Sequence, residues 1–235
     1  SVNLSTEGQS ITLVYVDGNE GWKNVQDSTS NVIGNAFIAA TGGTITTCGN
    51  DTIHTFTGPG TFTVTKTACC AANNEVSYIV VAGGGAGGGG EGSGGGGAGG
   101  FREDKSPVTP YTASPLDGAG PITVSVQGYP ITVGAGGAFT GPGPGVQAGS
   151  NSVFSTIISA GGGYGGNNHE QPGANGGSGG GGTGRNNANG GSGNTPPTSP
   201  PQGNNAGNAT TSPTNPDRGG GGGGAGAAGS SVGGC

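Results

Sequence analysis

The first 82 residues have a β-strand pattern throughout, and parts of them alternate apolar and polar side chains with a period of two. In SITLVYVDGNEGWKNVQ this pattern predicts a strand at 10–16 and a second strand at 22–25. The sequence Asp17-Gly18-Asn19 separates them, and Asp-Gly between two apolar runs is a strong hairpin signal. This segment is therefore a predicted β-hairpin.

Threonine alternates with isoleucine, phenylalanine and valine in the next β-like segment, GGTITTCGNDTIHTFTGPGTFTVTKT. The turn residues Gly58-Pro59-Gly60 predict a second hairpin, with strands near 52–57 and 61–66. Residues 76–82 are a continuous apolar, β-branched run, which predicts a strand covered on both faces. Two more strands are predicted, at 122–126 and 129–133, and no stretch has the apolar period of a capped helix.

Three glycine-dominated tracts interrupt the β pattern, at 83–100, 161–193 and 219–234. Glycine loses much conformational freedom on folding, so a tract can be a slack linker or an irregular coil. In the third alternative, the polyproline II conformation, rods without Cβ atoms pack backbone to backbone through N–H···O and Cα–H···O contacts. We expect polyglycine II rods in a bundle, because buried backbone groups are nearly always paired. The Pro/Asn/Thr-rich stretch 194–217 is predicted to be an extended, solvated, partly polyproline II loop.

The composition leaves room for only a small side-chain core. Of 235 residues 61 are glycine and 15 proline, and only 29% are hydrophobic and 8% charged, whereas globular chains are about half apolar and a quarter charged. The predicted fold class is mainly β with essentially no α-helix. A small N-terminal antiparallel β domain (1–82) for attachment or oligomerisation precedes a glycine-rich polyglycine II domain (83–235). The chain ends directly after a glycine tract, so we expect a fragment whose glycine-rich domain is incomplete at its C-terminus.

The net charge, the apolar stretches and the cysteines limit which partners and binding sites we expect. The net charge is −6 and no basic stripe occurs, which argues against a nucleic-acid partner. The longest apolar stretch, 78–82, is too short for membrane insertion. The spacing of the four cysteines matches no zinc motif. Cys48 and Cys69 (or Cys70) bracket the second predicted hairpin, so a disulfide closing its base and buried free thiols are equal alternatives. No metal or cofactor is expected.

Enzyme motifs do not stand out. The glycine runs lack a following Gly-Lys-Ser/Thr, so they do not predict a phosphate-binding loop. Asp51 and His54 are close in sequence, but His54 lies on a strand of alternating threonine and apolar residues, which favours a surface or interface histidine. We therefore predict no catalytic residues and no enzymatic activity.

Binding fits the sequence better, because loops on a rigid scaffold are where recognition concentrates. The segments 99–120, 161–177 and 194–217 carry most side chains among the glycine tracts. We predict receptor-binding residues within them, with packing at a rod end or at a subunit interface as the alternative for the aromatic ones. The predicted residues are Tyr111, Tyr164, Asn167, Asn168, His169 and Glu170.

Several segments resemble a known family. They are ITLVYVDGNEGW (11–22), TGGTITTCGNDTIHTFTGPGTFTV (41–64), YIVVAGGGAGGGG (78–90), GGAGGF (96–101), YPITVGAGG (129–137) and GSNSVF (149–154). With these segments the chain resembles the glycine-rich tail-fibre and structural proteins of tailed phages, especially marine and cyanobacterial ones. It is more distantly similar to the distal adhesins of T-even-like phages, which use a polyglycine II sandwich with variable loops.

The resemblance implies a tail-fibre protein that attaches the virion to the host cell surface by non-catalytic binding. It implies a homotrimer, other virion and tail proteins as partners, a glycan or outer-membrane protein as host receptor, and an extracellular location on the virion. The alternatives are a purely structural fibre of head, collar or tail, and a non-viral glycine-rich surface or ice-binding protein.

Overall fold

The structure is a computed structural model that describes residues 11–18, 21–27, 37–107, 109, 111–141, 145–167, 171–184, 189–210 and 218–232. The strands within these residues are β1 (Ile11–Asp17), β2 (Gly21–Asp27), β3 (Ala39–Thr41), β4 (Thr44–Cys48), β5 (Asp51–Thr55), β6 (Gly60–Lys66), β7 (Glu75–Val76), β8 (Tyr78–Val81), β9 (Phe101–Asp104), β10 (Ile122–Thr123), β11 (Gly128–Thr132), β12 (Ser152–Phe154) and β13 (Ile157–Ser159). The helical content of these residues is one 3-10 turn, Ala71–Asn74. None of their helices is long and apolar enough to cross a membrane.

The hairpin near the start of the chain is confirmed. Strands β1 and β2 pair antiparallel, with Tyr15 opposite Trp22 in the register. The predicted strand 129–133 is also confirmed as β11, and the predicted absence of α-helix holds for the described residues. These elements carry local signals, an Asp-Gly turn and a period-two pattern, that do not depend on distant partners.

One five-stranded antiparallel sheet, in the order β13-β12-β11-β6-β3, carries the apolar core. Phe62 of β6 lies opposite Tyr129 of β11, and Phe154 of β12 packs edge-on against Phe62 with ring centroids 5.9 Å apart. Tyr78 and Val80 of β8 join the same core cluster. Because β6 precedes residue 82 and β11 follows it, this β region extends past the predicted boundary between 1–82 and 83–235.

The hairpin predicted around Gly58-Pro59-Gly60 is wrong. Strand β5 pairs with β4, while β6 pairs with β3 on one edge and with β11 on the other. Both edges of β6 are occupied, so β5 has no place beside it. The disulfide that was to close this hairpin is likewise not formed, because Cys48 and Cys69 are free, exposed thiols.

The predicted two-faced burial of 76–82 is wrong as well. In β8, Tyr78 and Val80 are buried, whereas the side chains of Ile79 and Val81 are 54% and 52% exposed. The strand predicted at 122–126 shortens to β10, which pairs with β7. These strands therefore cover one side of a small core.

Beyond β8 the chain runs as rods joined by backbone hydrogen bonds that repeat every three residues. The amides of Ala82, Gly85 and Gly88 donate to the carbonyls of Gly100, Gly97 and Gly94, at 2.8–3.0 Å. A three-residue repeat is that of the polyproline II conformation, and the falling acceptor numbers make the two segments antiparallel. In chain order the rods comprise residues 82–90 (A), 92–100 (B), 133–138 (C), 145–151 (D), 160–167 (E), 171–176 (F), 177–184 (G), 189–194 (H), 202–210 (I), 218–224 (J) and 227–232 (K).

Hydrogen bonds between neighbouring rods define three layers, which we call the rod sandwich. Rods C, A, B, J and K form one outer layer, rods D, E, G and I the middle layer, and rods F and H the other outer layer. Rod G exchanges backbone hydrogen bonds with rods B, E, F, H, I and J, which surround it. The predicted side-by-side packing of the three glycine tracts is thus confirmed, and glycine-containing segments outside the tracts join it.

The middle part of 194–217 has the predicted polyproline II conformation, but the prediction that it is a solvated loop is wrong there. Residues 202–210 form rod I, and its Asn204 and Gly207 carbonyls accept from Gly179 and Gly182 of rod G. Asparagine side chains replace missing backbone partners here, since Asn205 Oδ1 accepts from the Gly193 amide at 2.9 Å. A segment with few glycines therefore joins the sandwich. Residues 211–217 lie outside the described part of the chain.

Candidate functional site

The rod sandwich has two distinct ends. At one end Ala82 donates to Gly100, and Gly100 donates to Ala160, which places the starts of rods A and E beside the end of rod B. Strand β8 leads into rod A and β9 follows rod B, so we call this the β end. At the opposite end, which we call the far end, the Gly184 amide donates to Gly92.

The connection between rods A and B at the far end is a tight turn. Rods A and B reverse at Gly90 and Gly92, which have φ of 97° and 69°, a conformation that glycine adopts without strain. Rods C and D are joined through an antiparallel bridge between Phe139 and Val146. Among the described residues where chains leave or enter the sandwich here, we call four the far-end surface: Phe139, Thr140, Gln171 and Arg218.

Phe139 is the apolar member of the far-end surface, with 56% of its side chain exposed. Next to it, Thr140 donates through its hydroxyl to the Gly145 carbonyl at 2.8 Å, and its own amide donates to the same carbonyl. These bonds hold the start and the end of the loop together, so Phe139 is presented from a fixed base. Exposed aromatic side chains on a rigid support are suited to binding, because they contribute large contact area at low entropic cost.

Tyr111, a predicted receptor-binding residue, belongs to the long insert at the β end. Its hydroxyl donates to Glu103 Oε1 at 2.9 Å, and the Ser114 amide donates to Glu103 Oε2 at the same distance. Glu103 is only 1% exposed, so these bonds satisfy a buried carboxylate. Burial, together with the hydrogen bond to Glu103, raises the pKa of Tyr111 to about 12. The phenol therefore has a structural role in fixing the insert.

Strand β9 carries a second carboxylate next to the insert, that of Asp104. Burial raises the pKa of Asp104, and the negative charge of Asp117 raises it further. The Lys105 amide donates to Asp117 Oδ1 at 2.8 Å, and Lys105 Nζ lies 5.3 Å from the centroid of the Tyr111 ring. Carboxylates and one cation therefore fold the insert onto β9.

Tyr164 and Asn167 lie on rod E, apart from the insert that carries Tyr111. Tyr164 is half-buried, and its carbonyl accepts from the Ala174 amide at 2.9 Å. Asn167 is fully buried and donates through Nδ2 to Gln171 Oε1 at 2.7 Å, across the start of the connection to rod F. A buried side chain offers no surface to a receptor. The remaining predicted residues, Asn168, His169 and Glu170, lie outside the described residues.

Gln202 was missed by sequence reasoning, although it is completely buried at the β end. Its Oε1 accepts from the Ala160 amide and its Nε2 donates to the Pro196 carbonyl, both at 2.7 Å. The Gln202 side chain thus caps the start of rod E, because it supplies the hydrogen-bond acceptor for the Ala160 amide. Phe139 was missed too, although the GPGPG turn that follows GAGGAF signals a chain reversal with an aromatic residue at its base.

Asp51 and His54 were set aside as catalytic residues, and His54 has a structural environment. Its Nδ1 is 2.8 Å from the Gly42 carbonyl, which can only accept, so Nδ1 carries the proton. The ring packs edge-on against Phe62, with centroids 5.0 Å apart. Within the described residues, no group of three or more His, Cys, Asp or Glu side chains is placed to hold a metal ion.

Comparison with known proteins identifies one family. The glycine-rich domain family matches residues 55–234, which is more than half of the chain and includes strands β6–β13 and the rod sandwich. Searches against curated proteins and against solved structures gave no match. The matched range begins within β5 and ends past rod K. The chain therefore belongs to the glycine-rich domain family.

Proposed function

We propose that this chain is a phage tail-fibre adhesin that attaches the virion to its host by non-catalytic binding through the far-end surface. The observation that carries the proposal is the separation of the two ends of the sandwich. The apolar core and the long insert lie at the β end, whereas the far end carries turns, loops and the exposed Phe139. Such an arrangement gives one end to attachment and leaves the other for recognition.

The rod sandwich suits this role because it is rigid without a large side-chain core. Rod G is bonded to six neighbours, so a displacement of one rod strains hydrogen bonds in all three layers. Loops anchored on such a scaffold keep their positions while their sequences vary. The resemblance to phage fibre proteins adds the expected setting: a homotrimer, joined to other tail proteins, outside the cell and facing a glycan or outer-membrane receptor.

Adsorption competition tests the proposal. Purified chain is added to sensitive bacteria before phage that carry the same protein, and the fraction of phage adsorbed is counted. We expect adsorption to fall in proportion to occupied receptor. No competition at saturating chain would favour a purely structural fibre.

A matched pair of variants locates the binding end. Phe139→Ser removes the exposed aromatic ring at the far end, whereas Ile158→Ser alters a similarly exposed side chain in β13 at the β end. We expect the Phe139 variant to lose most of its competing activity and the Ile158 variant to keep it. Equal loss in both would refute the assignment of recognition to the far end.

A further inference from the structure

A cleft in the β region, away from the far-end surface, has the features of a second binding site. It has a volume of about 410 Å³ and lies between the turn of hairpin β4–β5 and the edge formed by β3 and β7. This size falls within the range of about 300–1,000 Å³ that is usual for ligand pockets. The cleft is therefore large enough for one long side chain or a small molecule.

The floor of the cleft is apolar and aromatic. Phe62, which belongs to the buried core, and His54, which packs edge-on against it, both line the cleft. Phe37 stands at its border with 74% of its side chain exposed. The faces of aromatic rings carry partial negative charge, so they attract a cation that is placed over them.

The polar lining is negative. Asp51 is half-buried on the hairpin side, and Glu75 lies on β7. None of the described residues that line the cleft is lysine or arginine. A guanidinium or ammonium group would make charge-assisted hydrogen bonds with these carboxylates, whereas a phosphate or carboxylate ligand would be repelled.

The walls of the cleft are held by hydrogen bonds before any ligand arrives. Asn74 accepts from the Ala68 amide at 2.7 Å, donates to the Ala68 carbonyl, and accepts at its own carbonyl from Val124. On the other wall, the His54–Gly42 bond fixes the base of the hairpin. A preformed site loses less conformational entropy on binding than one that must be ordered first.

The surroundings of the cleft indicate a protein as the source of the cation. Phe37 lines the cleft, and Ile45, which is 48% exposed on β4, lies opposite the cleft residue His54 in the β4–β5 register. Protein interfaces combine apolar and aromatic surface with arginine, and arginine frequently supplies a buried anchor at their centre. A free small cation would gain nothing from this apolar border.

We propose that this cleft receives an arginine side chain from a partner protein that docks on the β region. The guanidinium lies between Asp51 and Glu75, and its aliphatic stem packs on Phe37 and Phe62. The site is separate from the far-end surface, and its occupancy does not require host cells. It can therefore be tested independently of the adhesin proposal.

Titration of the full chain with N-acetyl-arginine methylamide, followed by NMR and calorimetry, tests this inference. The matched probe is N-acetyl-citrulline methylamide, which has the same shape without the charge. We expect the arginine probe to bind roughly tenfold more tightly, as one charge-assisted hydrogen bond provides. Equal affinity for the two probes, or no binding of the arginine probe, would overturn the proposal.

Isosteric variants assign the binding to the cleft. Asp51→Asn and Glu75→Gln each remove one carboxylate charge with little change of shape, and Glu91→Gln does the same in the exposed turn between rods A and B. We expect each cleft variant to bind the arginine probe several-fold more weakly and the Glu91 variant to bind it as the unchanged chain does. The proposal fails if the Glu91 variant weakens binding as much as the cleft variants. Tighter binding of neutral sugars than of the arginine probe would also overturn it.

Discussion

Alanine in place of one glycine of rod G tests how tightly the rods pack. A Cβ built on Gly181 would lie 2.7 Å from the carbonyl carbon of Gly220 and closer still to its oxygen. The carbonyl belongs to the neighbouring rod J, so only a shift of backbone against backbone could make room. Gly87 provides the control, because a Cβ there would meet its nearest neighbour, the Gly94 carbonyl oxygen, at 3.9 Å.

The expected magnitude follows from these contacts. Overpacking a tight site costs about 1–3 kcal/mol, and a shift of rod G weakens its bonds to Gly95 and Gly166, which measure 2.7 and 2.8 Å, at about 1 kcal/mol each. Alanine also reduces the conformational entropy of the unfolded chain, which by itself stabilises the folded state by about 0.4–1 kcal/mol. Gly181→Ala should therefore lower the free energy of unfolding by about 2–4 kcal/mol, whereas Gly87→Ala should raise it by about 0.4–1 kcal/mol.

Differential scanning calorimetry of the full chain measures the difference. For a chain of this size, the loss at Gly181 corresponds to a decrease in Tm of roughly 4–16 °C. Guanidinium unfolding of the same two variants gives the free energies directly. If Gly181→Ala melts at the same temperature as Gly87→Ala, the backbone contact between rods G and J is not present and the layered packing is refuted.

The other predictions concern buried polar groups. Ser178 Oγ is buried without a hydrogen-bond partner among the described atoms, so Ser178→Ala should raise the free energy of unfolding by about 1 kcal/mol. Ser159→Ala should lower the free energy of unfolding by about 1–3 kcal/mol, because the buried Ser159 hydroxyl donates to the Val80 carbonyl at 2.7 Å. Calorimetry that finds the Ser159 variant more stable than the Ser178 variant would contradict both predictions. Tyr111 has its pKa raised from 10.0 to about 12, so the unfolded chain loses this proton first. Urea unfolding should therefore show stability falling between pH 10 and 12, and Tyr111→Phe should lack that part of the fall. Since burial raises the pKa of Asp104, its ionisation costs stability; Asp104→Asn should raise Tm at pH 7 and lose this advantage below pH 3.8, where the carboxyl is protonated in both states.

Local signals in the sequence were sufficient to predict some strands and their pairing, but not others. The β1–β2 hairpin and strand β11 follow from turn residues and alternation that lie within the segments themselves. The pairing of β6 could not be found in this way, because its partner β11 lies more than sixty residues along the chain. Each edge of a strand can pair with only one other strand. The alternation within a segment does not say which of several distant strands becomes that partner.

The glycine tracts predicted the rods, but composition underestimated how many segments join them. Glycine is needed only where a Cβ would meet a neighbouring backbone, as at Gly181, and other residues are allowed where the position is open. Asn205 and Asn208 of rod I accept from Gly193 and Gly190 of rod H, so their side chains span a gap between rods. The three-residue spacing of the asparagines matches the repeat of the rod, and this signal was present in the sequence.

The surroundings of the predicted binding residues depend on contacts that the sequence does not contain. Polar and aromatic residues among glycines are typical of exposed loops, which is why Tyr111 and Asn167 are predicted binding residues. Their surroundings follow from the folded structure, since Glu103 accepts from the Tyr111 hydroxyl while 41% of the Tyr111 side chain stays exposed, and Asn167 is fully buried. The far-end residue Phe139 became visible only when the order of the rods was known.

Hydrogen–deuterium exchange of backbone amides tests the rod sandwich most directly. The amides of Gly166, Gly181 and Gly220 donate to Gly181, Gly95 and Gly182, all at 2.7–2.8 Å, and thereby join rods E, G, B and J. We predict that these amides exchange only through global unfolding, with protection equal to the whole free energy of unfolding. Exchange at the rate of an unstructured glycine peptide, while the core strands β6 and β11 stay protected, would contradict the rod sandwich.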